Sequence, residues 1–188
     1  MTQRSQIRRH PERAVPEETS DILSAGLVAH VGFADEAGPV VIPQLYGFSP
    51  DEPDRIILHG SRASRLQRVL ASGAPVCVTV TLVDGLVYSR NAKFHSANYR
   101  SVICFGRARE ITDAFVKEAA MAKMTARYFA GRTSGRNYEP PTKRELDEIT
   151  VVEVLVEESS AKARRGGAKG PRDDDDAAPG SAGVIDLA

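Results

Sequence analysis

Pro75-Val76-Cys77-Val78-Thr79-Val80-Thr81-Leu82-Val83-Asp84-Gly85 is the stretch on which the fold turns. Val76, Val78, Val80 and Leu82 fall on one face, while Cys77, Thr79 and Thr81 fall on the other. A period of two is that of a strand, so one face of this strand is core. Asp84-Gly85 is a hairpin signal, predicting that the chain turns there into Leu86-Val87-Tyr88 and, after a loop, returns through residues 99–112.

Similar runs lie on either side. Residues 27–34 and 39–48 read as two strands joined by the turn at 35–38, and 54–60 as a third. Pro43 inside the second argues for an edge, a bulge or a kink facing a ligand. Residues 149–158 form a last strand. Helices are predicted at Glu17–Ala25, stopped by Gly26, and over 61–73 with Leu66, Val69 and Leu70 buried. A longer helix is capped by Thr112 and ends at Gly131, and a short one lies over 142–148. Short, mostly hairpin-connected strands with inserted helices describe a mainly β fold, an antiparallel barrel with peripheral helices. The βαβ alternation, GxGxxG and GxxxxGK[ST] are missing, which argues against a doubly wound or P-loop nucleotide site.

At 188 residues the chain has the length of one domain. Its 25 Lys plus Arg balance 25 Asp plus Glu, so no overall field recruits nucleic acid or an anionic membrane. With no apolar run long enough to span a bilayer and no apolar region after the basic N-terminus, the expected location is cytoplasmic. Cys77 and Cys104 each sit in an apolar strand-like run and read as reduced thiols. The four histidines form no HExxH or related spacing, so no metal site is expected. Met121 and Met124 read as core, Arg62 and Arg68 as a solvated helix face, and Asp173–Asp176 as a solvated acidic run. The expected organisation is an arm over 1–16, a barrel over 17–157 and a C-terminal segment over 158–188, docked or disordered.

Two runs carry chemistry. His59-Gly60-Ser61-Arg62-Ala63-Ser64-Arg65 passes from a strand into a helix, so backbone N–H groups, the Ser61 and Ser64 hydroxyls and the Arg65 guanidinium can converge on an anion. His95-Ser96-Ala97-Asn98-Tyr99-Arg100-Ser101 adds hydroxyl, amide, phenol and guanidinium groups at the start of another strand. Together they suggest a phosphorylated cofactor with a planar part.

Read in order, the segments RRHPERA (8–14), GLVAHVGF (26–33), PVVIPQLYGF (39–48), ILHGSRASR (57–65), GAPVCVTVTLVDGLV (73–87), HSANYRSVICFGRARE (95–110), PTKREL (141–146), SAKARRGG (160–167) and AGVIDL (182–187) make a specific series. The series resembles the pyridoxamine 5′-phosphate oxidase-like, FMN-binding split-barrel family, in particular its branch related to nitroimidazole-resistance flavoproteins. The resemblance implies a split antiparallel β-barrel and a homodimer with FMN at two interfacial sites. It places the phosphate near His59, Gly60, Ser61, Ser64 and Arg65, and the flavin ring along Pro43, Gln44, Leu45 and Tyr46. Asn98, Tyr99, Arg100 and Ser101 match a motif that approaches the same cofactor. Thr133 and Ser181 stand where relatives carry aromatic residues, usually Trp, and the chain has no Trp, so docking of the C-terminal segment stays open.

The implied activity is hydride transfer through flavin N5 to or from a small organic molecule, with NAD(P)H as a possible reductant. The flavin carries that chemistry, so no catalytic side chain is nominated. Non-enzymatic flavin storage, or the same barrel holding haem or a deazaflavin, are the alternatives. Pyridoxamine phosphate oxidation itself is disfavoured, because SAKARR is the only candidate for a second phosphate site.

Overall fold

The computed structural model describes residues 3–187. Strand β1 (Val28–Asp35) returns on β2 (Gly38–Leu45) through a turn in which Asp35 Oδ1 accepts from the Ala37 amide at 2.9 Å, and Gly38 takes φ 102°, open to a residue without Cβ. β3 (Arg55–Ser61) leads into α2 (Arg65–Ala71), and β4 (Pro75–Tyr88) is followed by β5 (Ser96–Glu110). α1 (Thr19–Ala25), α3 (Ala114–Tyr128) and α4 (Lys143–Glu148) are the other helices, and β6 (Ile149–Arg164) and β7 (Gly183–Asp186) end the chain.

The sheet runs β2-β1-β4-β5-β6-β3, with β7 added to β4, and every pairing is antiparallel. Its edges meet just past β2, where Gly47 and Ile57 exchange backbone hydrogen bonds of 2.8 and 2.9 Å. Among the described residues the backbone ladder between β2 and β3 ends there, and the Gln44 amide reaches across to the His59 carbonyl. The sheet is thus a barrel clasped at one end of its β2–β3 seam and split at the other.

The alternation read from the sequence places the core. Val76, Val78 and Val80 of β4 point inward with Val31 and Phe33 of β1, Ile56 and Leu58 of β3, and Val152 and Val154 of β6. Burying such side chains contributes about 1.5–3 kcal/mol each. α1 adds Ile22 and Leu23, and α2 adds Leu66 and Leu70. Met124 is buried as expected of core.

Several expectations are corrected. Asp84-Gly85 makes no hairpin: β4 runs through it with a bulge between Val83 and Gly85, because β7 pairs with Gly85–Tyr88 and Arg100 takes the Asp84 carboxylate. Asp113, not Thr112, caps α3, its Oδ1 accepting from the Val116 amide at 2.9 Å. β6 continues to Arg164, past the strand end expected at 158, since β5 offers ladder partners as far as Tyr99↔Arg164. Within the acidic run Asp174–Asp176 are exposed as expected, whereas half-buried Asp173 accepts from Ser89 Oγ at 2.8 Å and the Arg90 amide at 2.9 Å, and the Arg90 guanidinium holds the Ala178 and Gly180 carbonyls. The N-terminal arm lies on β6, with Arg4 paired to Glu157 and Glu158 and Ala14 bridged to Lys162. Cys77 and Cys104 are free, and burial pushes the Cys104 thiol up to about 12.

Candidate functional site

The split end of the seam gathers the first predicted set. β3 delivers His59, Gly60 and Ser61, held on their other side by ladder pairing with Val151, Thr150 and Ile149 of β6. Ser64 then caps α2, its Oγ accepting from the Gln67 amide at 3.1 Å. α2 turns Gln67 back toward the strand: a Cβ at Gly60 would stand 3.0 Å from Gln67 Nε2, so glycine there makes room for the amide.

Three polar atoms at this place are buried without a hydrogen-bond partner among the described residues: Gln44 Oε1, His59 Nδ1 and Gln67 Oε1. An unmet buried donor or acceptor costs about 1–3 kcal/mol. Such atoms collect where something else supplies the partner. Burial also holds the His59 imidazole below its ordinary value, keeping the ring neutral.

Arg65 reaches the site already engaged. Its Nε donates to Asp35 Oδ2 at 2.6 Å and its Nη2 to Asp35 Oδ1, and this pairing draws the Asp35 carboxyl below the usual carboxylate range. Arg62, exposed as expected of a solvated residue, also ties the turn to the start of β6, donating to the Asp147 and Ile149 carbonyls and pairing with Glu110 at 3.0 Å.

On β2, Pro43 and Leu45 stand on the exposed outer face and Gln44 points inward. Tyr46 follows with its side chain fully buried in the core, its hydroxyl 2.6 Å from the Leu23 carbonyl. Desolvation pushes that hydroxyl up to about 12.

The second set lies elsewhere. Arg100 is bound to Asp84, Asn98 Oδ1 accepts from Arg164, and the Ser101 hydroxyl sits 3.4 Å from the Lys162 carbonyl. His59 pairs opposite Val151 near the start of β6 and Ser101 opposite Lys162 near its end, so roughly 35 Å of strand contour separates the nearest members of the two sets within one chain. His95 is exposed beside the short turn Ala92–Phe94. Gln67, Asp35, Asp84 and Arg164 were not foreseen. Gln67 alone left a signal, an amide beside Leu66 and Leu70 on the buried side of a short helix.

An antiparallel barrel split beside a strand-to-helix turn defines the class. The family model for pyridoxamine 5′-phosphate oxidase matches residues 16–163, and the chain belongs to that split-barrel family. Among solved structures, the flavocytochrome Anf3 from Azotobacter vinelandii is 32% identical, over 100% of this chain and 85% of that one, with a TM-score of 0.87. The FAD and heme binding protein from Mycobacterium smegmatis is also 32% identical, over 93% of this chain and 82% of that one, at 0.81. A candidate 5-nitroimidazole antibiotic resistance protein from Bacteroides thetaiotaomicron shares the fold at 23% identity, covering 79% of this chain and 84% of that one, at 0.64. No functionally curated protein matches the chain.

Proposed function

We propose that this protein binds a flavin nucleotide, FMN in our reading, at the split end of the β2–β3 seam and uses it for hydride transfer to or from a small organic molecule. The observation that carries the reading is the trio of unmet buried atoms, Gln44 Oε1, His59 Nδ1 and Gln67 Oε1. A flavin's pyrimidine edge presents one donor, N3–H, between two acceptor carbonyls, which one amide oxygen and the N–H of a neutral imidazole can answer. Ser61, Ser64 and Arg65 at the adjoining turn would hold the phosphate. The bound flavin supplies reversible two-electron chemistry at N5, and the chain's part is to fix the ring and keep His59 neutral.

The test is a fluorescence-quenching titration with FMN, FAD and riboflavin. A charge-assisted hydrogen bond contributes about 1.5–3 kcal/mol, so FMN should bind at least about tenfold more tightly than riboflavin. Equal affinities would remove the phosphate assignment. Anaerobic oxidation of NADPH or NADH by the loaded protein separates an enzyme from a flavin store, which would hold stoichiometric flavin without turnover.

A second reading adds haem. Both 32% identical relatives are flavin-and-haem proteins by their descriptions. Here His30 stands exposed on the outer face of β1, between Pro43 of β2 and Thr79 of β4 and close to exposed Val28, Val41 and Leu45. A Soret band in purified protein that is lost in His30→Ala would establish it; a flavin-only spectrum after haem supplementation would exclude it.

A further inference from the structure

We propose that the cleft between α3 and the outer face of β3 and β6 is a second small-molecule site, suited to a planar aromatic ligand with one anionic group. This goes beyond the flavin reading and uses none of the residues assigned to it. The cleft encloses about 630 Å³, within the range of roughly 300–1,000 Å³ typical of ligand pockets. Its apolar walls are Phe48, Ile57, Ile111, Val116 and Met124, and α3 adds the small Ala119, Ala120 and Ala126 together with the long side chains of Lys123 and Arg127. Close-packed interiors leave few such voids. A slot with a floor of strand and a roof of alanines fits a flat ring.

The charge at one end selects an anion. Glu153, buried at 5% exposure, accepts from Arg55 Nη1 at 3.0 Å and from Arg109 Nε at 2.7 Å, so one carboxylate faces two guanidiniums. Arg55 lines the cleft with donors beyond the one given to Glu153. Arg127 lines it too: its hydrogen bonds among the described residues go to the Leu23 and Gly26 carbonyls, and its guanidinium lies over the Tyr46 and Tyr128 rings at 4.8 and 5.5 Å, with no carboxylate against it. The acidic Asp51 and Glu52 also line the cleft, and Glu52 is paired with Lys123 at 3.3 Å, an ion pair that joins the β2–β3 loop to α3. A ring inserted beside the alanines would carry its anionic group toward Arg55.

Two dyes test this on the flavin-loaded protein: 1-anilinonaphthalene-8-sulfonate, and N-phenyl-1-naphthylamine, which has the same rings without the sulfonate. Both should bind at one site per chain. Arg55→Met, which leaves Glu153 paired to Arg109, should weaken the sulfonate at least about tenfold and the neutral dye by no more than about twofold. Ala119→Trp or Ala126→Trp, both at exposed positions of α3, should weaken both dyes with flavin content unchanged. Equal dye binding in both tryptophan variants, or equal loss of the two dyes in Arg55→Met, would overturn the proposal. Flavin titration of the same variants reports separately on the seam.

Discussion

Gln44, His59 and Gln67 bring polar atoms into a seam that apolar side chains could have filled without cost, and the consequences at His59 can be measured. Burial lowers the pKa of its imidazole, so the unfolded chain binds a proton that the folded chain refuses. Stability from this group is present above the ordinary value of 6.5 and lost as pH falls through it. Thermal midpoints should fall between pH 7.5 and 5.5, and His59→Asn, which keeps a polar atom near Nδ1, should make the fall shallower; equal slopes would show that other groups set it. Arg65 gives a second prediction. Arg65→Ala should weaken FMN at least about tenfold and riboflavin by no more than about twofold, because only FMN carries the phosphate. Asp35→Asn should tighten FMN by releasing the guanidinium, and Arg62→Ala should leave both flavins unchanged while lowering stability. Loss of FMN in Arg62→Ala alone would mean that the cradle is placed on the wrong arginine. The turn residues were legible because strand, serine cap and arginine fall in adjacent positions. Asp35 was not, since its contact with Arg65 spans 30 residues and no local pattern announces it.

Elements were legible where period and burial agree and illegible where a distant strand decides. The alternation of β4 gave its inward face correctly, yet its Asp84-Gly85 reads locally as a turn and is straightened by β7, about a hundred positions away in the chain. The last segment was opaque for the same reason: its composition is that of a coil, and its order comes from Asp173 and from the Arg90 guanidinium at the far end of β4. Gly106 shows how closely such pairings pack. β5 and β6 shift register between Phe105 and Gly106, and a Cβ at Gly106 would stand 1.9 Å from the Leu155 carbonyl oxygen. Backbone cannot yield as a flexible side chain can, so Gly106→Ala should cost at least about 1–3 kcal/mol. Urea unfolding checks this; an unchanged midpoint would show that the bulge relaxes freely.

At the scale of the molecule, the two predicted halves of the cofactor site pair with β6 near its opposite ends. We propose a homodimer in which each chain lends its Asn98–Ser101 segment to the other's seam. The outer face of β1 and β2 suits the contact: Val41 is 64% exposed and Leu45 44%, beside exposed Leu27 and Val28. Exposed apolar side chains grouped on one sheet face mark an interaction surface. A charge there should separate the chains without touching the core, because both positions point away from it. Leu45→Glu and Val41→Lys should therefore give monomers by light scattering, with FMN affinity reduced at least about tenfold. In the wild type, FMN at about 100 times its dissociation constant should stabilise the native state by about 2.7 kcal/mol, raising the thermal midpoint with ligand concentration. Riboflavin and FMN should lose affinity together in these variants, unlike in Arg65→Ala, because the missing half of the site serves the ring as well as the phosphate. A monomeric variant that holds FMN as tightly as the parent would refute the shared site and return Asn98, Tyr99, Arg100 and Ser101 to the structural work their bonds to Asp84, Lys162 and Arg164 already perform.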